Sequence, residues 1–259
     1  MTRRARPIVA IDGPAGAGKS TIARQLAREL GFLLVDTGAI YRTVALAAKR
    51  AGLAWEDGPS VTALAEGLVA SGALEVYPSA TGAMGVKLSG EDVSEGIRTP
   101  DMSLGASTVS AHQGVRNVLL AMQRKAGADG GVVLEGRDIG TVVFPDAEVK
   151  LYLTARPEVR AQRRYDELTA KGQTVSFEET LADVKKRDDK DMGRAIAPLK
   201  QVKHRSFAHR QPLGHILDTQ KFFGHRGITP FSCLARSFAK FYHHVHCFAT
   251  IFKKAASVV

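Results

Sequence analysis

The chain has 259 residues, 36 of them Lys or Arg against 26 Asp or Glu, for a net charge of +10, and it contains two cysteines. Such a charge suits a nucleic-acid or membrane surface, but residues 200–259 hold ten basic side chains and one acidic, +9 of the total, which leaves residues 1–199 at +1. Both cysteines, Cys233 and Cys247, also lie in that tail, so no disulfide framework supports the body and a reducing cytoplasm is implied.

The N-terminal Met1–Pro7 carries Arg3, Arg4 and Arg6 and reads as a basic, frayed arm. The apolar run Ile8–Ile11 that follows is a strand candidate, too short for a signal peptide or a membrane span. Gly13-Pro14-Ala15-Gly16-Ala17-Gly18-Lys19-Ser20 then fits the pattern GxxxxGK[ST] at every fixed position. Ile22, Leu26, Ala27 and Leu30 recur at helical spacing behind it, with Arg24 and Arg28 between them. Strand, glycine-rich loop and amphipathic helix together form an anion cradle. Backbone N–H groups turn toward a phosphate, the helix N-terminus adds positive partial charge, Lys19 reaches the β- and γ-phosphates, and the Ser20 hydroxyl suits Mg²⁺.

Phe32–Val35 reads as a second buried strand, running into Asp36-Thr37-Gly38-Ala39-Ile40-Tyr41-Arg42, where a helix begins. Asp36 at that boundary has two readings, a helix cap or a group oriented at a transferring phosphoryl. Residues 74–94, with Gly82, Gly85 and Gly90 and the alternation in Met84–Ser89, read as small strands with tight turns. Val132–Leu134 is a third strand candidate of the main sheet and precedes Glu135-Gly136-Arg137-Asp138-Ile139-Gly140-Thr141, and Val149–Leu153 is a fourth. Strands alternating with helical segments argue for a parallel sheet covered by helices, with ligands at the carboxyl ends of its strands, where these polar motifs fall. Arg160, Arg163 and Arg164 share a helix face, whose bland reading is simple solvation.

The phosphate loop, Asp36 to Arg42, Ile97–Pro100, Val115-Arg116, Gly136 to Ala147, and Arg187-Asp188-Asp189 through Leu199 resemble, in order and spacing, the motifs of bacterial cytidylate kinases, which phosphorylate CMP and dCMP. The resemblance covers residues 7–199. It implies a P-loop nucleoside monophosphate kinase-like α/β fold acting in pyrimidine nucleotide metabolism as a cytoplasmic monomer, with an acceptor-binding insert over 74–94 and a lid over 156–178. Gly13, Pro14, Ala15, Gly16, Ala17, Gly18, Lys19, Ser20 and Thr21 would hold ATP with Arg160 and Arg164 of the lid, and Ser20 the Mg²⁺. Thr37, Arg42, Arg137 and Arg194 would surround the acceptor phosphate, Arg187 and Asp191 the sugar, and Ser107, Arg116 and Asp138 the cytosine. Lys19, Asp36, Arg137 and Arg194 would carry the chemistry. These residue types suit the task, since charge spreads over the transferred oxygens and arginine grips phosphate in pairs of hydrogen bonds. Two other readings stand beside this one. They are a kinase of another small acceptor on the same scaffold, and an impaired kinase-like protein whose basic tail binds nucleic acid.

After Leu199 or Lys200 the family pattern breaks off. The tail holds seven of the eight His and eight of the eleven Phe. A coding region read out of frame, a lineage-specific extension that binds RNA, and a disordered appendage each account for it, and the abruptness of the break favours the first. His243, His244, His246 and Cys247 lack the ligand spacing of a zinc site.

Overall fold

The computed structural model describes residues 4–79, 82–170, 172–193 and 198–199; Arg194 and the whole tail lie outside them. The central sheet is four-stranded, parallel, in the order β2-β6-β1-β7, formed by β1 (Ile8–Asp12), β2 (Leu33–Asp36), β6 (Val132–Gly136) and β7 (Val149–Tyr152). All four correspond to the strand candidates. The two inner strands are apolar without alternation because both faces of the sheet are covered. Successive β1 residues point to opposite sides. Ile8 and Ala10 join one buried cluster with Val35, Leu134 and Ile40, while Val9 and Ile11 join a second with Val133, Ala23 and Leu26. The second cluster is closed by α1 (Lys19–Leu30) and the first by α2 (Thr37–Arg50), α3 (Gly58–Ala70), α4 (Pro100–Val109) and α5 (Gln113–Ala126). A buried side chain such as Leu26 contributes about 1.5–3 kcal/mol through this burial.

Helix boundaries follow local chemistry. Asp57 caps α3 through the Ser60 N–H and Thr99 caps α4 through the Met102 N–H, each followed by a proline in the first turn, where its missing N–H costs nothing. Gly31 closes α1 in the left-handed conformation at φ 62°. The segment with three glycines folds as a separate antiparallel sheet, β3 (Leu74–Pro78), β4 (Met84–Leu88) and β5 (Glu91–Asp92). Beyond β7, α6 (Pro157–Ala170) and α7 (Phe177–Gly193) pack together, with Tyr165 and Phe177 edge to face at 6.4 Å.

The expected frayed arm is not frayed at Arg4 and Arg6. Arg4 pairs with Asp146 at 2.6 Å and Glu148 at 3.1 Å. Arg6 donates to the Gly31 carbonyl at 2.6 Å and lies over the Phe32 ring. These contacts clip the start of β1 to the segments leading into β7 and β2, which the basic composition of the arm did not reveal. No helix among the described residues is long and apolar enough to cross a membrane.

Register positions the site. Asp12 stands opposite Gly136, and Asp36 opposite Glu135. Three motifs spread over more than a hundred residues of chain therefore emerge side by side at one end of the sheet, the end where parallel α/β sheets bind ligands.

Candidate active site

The loop after β1 turns sharply at Gly13, φ 148°, against the backbone just beyond β7; a Cβ there would collide with the Leu153 carbonyl. Gly18 precedes α1 in the left-handed region at φ 94°, and no side chain caps that helix. Its first N–H groups are thus left to an anion. Lys19 is buried and donates to the Pro14 carbonyl at 2.8 Å. Burial, and then the nearby Arg137 guanidinium, hold its ammonium well below the ordinary lysine range. Ser20 is exposed beside the loop and donates its hydroxyl to Glu135 Oε2 at 2.8 Å. Burial, reinforced by the Asp36 carboxylate, pushes the Glu135 carboxyl upward.

On the acceptor side, Asp36 serves as the cap of α2, accepting from the Ala39 N–H at 3.2 Å, and also pairs with Arg42 at 2.7 Å. The structure thus shows Asp36 in the cap reading, and its ion pair with Arg42 is a second contact of the same carboxylate. Gly38 leaves room for the pair, since a Cβ there would come within 3.1 Å of both side chains. Thr37 donates to the Glu135 carbonyl at 2.8 Å. Arg137 donates to Asp191 at 2.8 Å. Arg187 is held down to about 10, first by burial and then by Arg137, and it also feels Arg42 and Arg164. Arg42, Arg137 and Arg164, each paired with a carboxylate, thus crowd Arg187, and Arg137 and Arg187 crowd Lys19, in one cationic patch. Such a patch is costly alone and is relieved by a polyanion. Arg116 and Asp138 form a buried ion pair, and Arg116 also donates to the Ser110 carbonyl and lies over Tyr41. Among the described residues, three buried side-chain atoms have no hydrogen-bond partner: Arg42 Nε, Ser107 Oγ and Arg187 Nε.

The family model for cytidylate kinase matches residues 9–207. The chain belongs to the cytidylate kinase family. A cytidylate kinase from Geobacter sp. strain M21 is 55% identical over 195 residues, 75% of this chain and 82% of that protein. The cytidylate kinase of Geobacter sulfurreducens is 53% identical over the same shares of each. A bifunctional pantoate ligase/cytidylate kinase from Gloeobacter violaceus is 49% identical over 201 residues, 76% of this chain and 38% of that longer protein.

In this cytidylate kinase family member the helix-face arginines do not act alike. Arg160 is buried and donates inward, to the Ala155 carbonyl, the Ala15 carbonyl and Asp188. Arg163, assigned no contact in the sequence, is exposed and donates to the Gly16 carbonyl of the phosphate loop at 3.4 Å. Arg164 pairs with Glu167 at 3.0 Å.

Sequence reasoning also left Asp12 without a role. It is buried at the end of β1 and accepts from the Ile139 and Gly140 N–H groups, both at 2.8 Å. Those bonds hold a π-helical turn, Ile139–Val143, directly after Arg137 and Asp138. Glu135 was likewise quoted only as part of a motif. The available signal was position: both acids end strands next to a matched loop, where a carboxylate has no place in a core unless it is paired.

Proposed function

We propose that the chain transfers the γ-phosphoryl group of ATP to CMP or dCMP, giving ADP and CDP or dCDP. The observation that carries this reading is that, among the described residues, the three buried side-chain atoms lacking partners belong to Arg42, Ser107 and Arg187, each expected from the sequence to touch the acceptor. Buried polar groups are satisfied as a rule, and groups left unsatisfied cost about 1–3 kcal/mol each. A ligand with phosphate, sugar hydroxyls and a base supplies what they lack.

Donor phosphates lie on the loop Gly13–Thr21, with Lys19 at their β/γ end. Arg42, Arg137 and Arg194 grip the acceptor phosphate; Arg194 lies outside the described residues. Phosphoryl transfer asks mainly for positioning and charge neutralisation, and the crowded cations deliver both, because their repulsion falls as negative charge builds on the equatorial oxygens. Anion binding also favours the charged form of Lys19, opposing the lowering that burial and Arg137 impose. Asp138 accepts from the exocyclic amine of cytosine and Arg116 and Ser107 face its acceptor edge, a donor and acceptor set matched to that base.

The oxygen donors at the loop fit Mg²⁺. Ser20 would hold the ion, with Glu135, hydrogen-bonded to Ser20, and Asp36 as the neighbouring carboxylates. When bound, the ion screens the charge between the donor phosphates. The small sheet over 74–94 serves as a clamp on the acceptor, and the segment 156–178 as a lid that excludes water, the wasteful alternative acceptor. We place the enzyme in the cytoplasm, as a monomer in pyrimidine nucleotide metabolism. The test is ADP release with ATP, Mg²⁺ and each nucleoside monophosphate in turn, with Arg137→Ala as control. Turnover confined to CMP and dCMP and lost in the control is expected; turnover with another acceptor alone refutes the assignment.

A further inference from the structure

Two arginine–aspartate pairs are buried in the described residues. Arg116–Asp138 belongs to the acceptor pocket, whereas Arg160, expected from the sequence to reach ATP, is turned inward onto Asp188 and the back of the phosphate loop. Arg160 is 2% exposed and Asp188 9%. The Arg160 Nε donates to the Ala155 carbonyl at 2.8 Å. One terminal nitrogen donates both to the Ala15 carbonyl at 3.1 Å and to Asp188 Oδ1 at 2.9 Å, and the other donates to Asp188 Oδ2. A guanidinium so engaged has little left to offer a phosphate.

Its partners mark a path. Ala15 lies within the phosphate loop, and its carbonyl is held by Arg160. Gly16 packs on the same residue, with an added Cβ falling 3.3 Å from Arg160 Cβ. Asp188 is the immediate neighbour of Arg187 on α7 and lies one turn before Asp191, which holds Arg137 at 2.8 Å. A planar fork bound at both ends transmits displacement well, because neither partner can shift without breaking a buried charge-assisted bond.

We propose that the Arg160–Asp188 pair is a positioning link between the two substrate sites, through which phosphate bound on the loop sets α7, and with it Arg187 and Asp191–Arg137, for the acceptor. This rests on the acceptor assignment of Arg187 and Asp191 made above. Coupling of this kind is reciprocal: ATP tightens CMP as much as CMP tightens ATP.

The experiment is calorimetric titration of CMP into full-length protein, with and without Mg²⁺ and a non-hydrolysable β,γ-imido analogue of ATP. The wild type is expected to bind CMP at least about fivefold tighter with the analogue, the low end of ordinary coupling. In Asp188→Asn that ratio falls to near one, whatever happens to CMP affinity alone. Removing one member of a buried pair risks the fold, whereas exchanging both for apolar residues of similar volume is often tolerated. Arg160→Met with Asp188→Leu is therefore the second variant, with the same loss expected. A ratio that survives in the folded double variant overturns the link, as does a wild type that binds CMP equally well with and without the analogue. A wild type that binds no CMP at all overturns the acceptor assignment, and this inference with it.

Discussion

Arg42 reaches back along its own helix to the carboxylate of Asp36, the residue that caps that helix, and the 2.7 Å ion pair they form leaves Arg42 Nε buried without a partner among the described residues. One carboxylate therefore does two jobs that different substitutions separate. Asp36→Asn keeps an oxygen for the Ala39 N–H and should leave stability nearly unchanged while weakening CMP turnover. Asp36→Ala removes the cap as well and should cost about 1 kcal/mol. Urea unfolding beside kinetics decides it; equal stability losses in the two variants would assign the residue to the charge pair alone.

Ser107 trades stability for recognition. Its buried hydroxyl meets no partner in the described residues, so Ser107→Ala should raise the melting temperature of the unliganded protein slightly, by less than about 1 kcal/mol of unfolding free energy. The same change should shrink the rise in melting temperature that CMP produces. Thermal unfolding with and without CMP measures both, and a lower unliganded melting point would contradict the reading.

Arg116 and Asp138 are each almost fully buried, with side chains 8% and 9% exposed. Asp138→Asn leaves the guanidinium uncompensated and should destabilise by about 3 kcal/mol, at the lower end of what breaking a buried pair costs. Denaturant unfolding reads this directly. The same variant should lose discrimination between CMP and other monophosphates, measured as a ratio of kcat/KM values.

Asp12 makes stability depend on pH in the direction opposite to an ordinary paired carboxylate. Burial lifts its pKa from 3.8 to about 6, against the lowering pull of the Gly140 and Ile139 N–H groups. The native state therefore takes up this proton before the unfolded chain does as pH falls. Its contribution favours folding most below the unfolded value and is lost as pH rises through about 6, a change of about 3 kcal/mol. Asp12→Asn removes the titration, so wild-type stability relative to the variant should decline between about pH 4 and pH 7. Unfolding free energies that run parallel over that range would refute the shifted titration.

Much of this was legible beforehand. The four strands of the main sheet, the phosphate loop and the cap at Asp36 follow from apolar runs, glycine placement and a helix-start residue, all of which act within a few positions. The helix α3 was not read at all, because its apolar content is nearly unpatterned around the helix and its caps are ordinary turn residues. Arg160, Arg163 and Arg164 looked equivalent on a helical wheel, yet one is buried, one exposed and one half-buried, since only the packing of α6 on the loop and α7 distinguishes them.

By itself the sequence determined what short-range chemistry dictates: which segments are strands or helices, where they begin, and that an anion-binding loop joins the first pair. It also specified a family through motifs whose spacing carries no geometry. Only the tertiary structure decided that Asp36 stands opposite Glu135, that Asp12 holds the turn after Arg137 and Asp138, and that Arg160 closes on Asp188. These contacts join distant parts of the chain, and sheet register and burial select them; a carboxylate's partner depends on what folding brings beside it when water is removed.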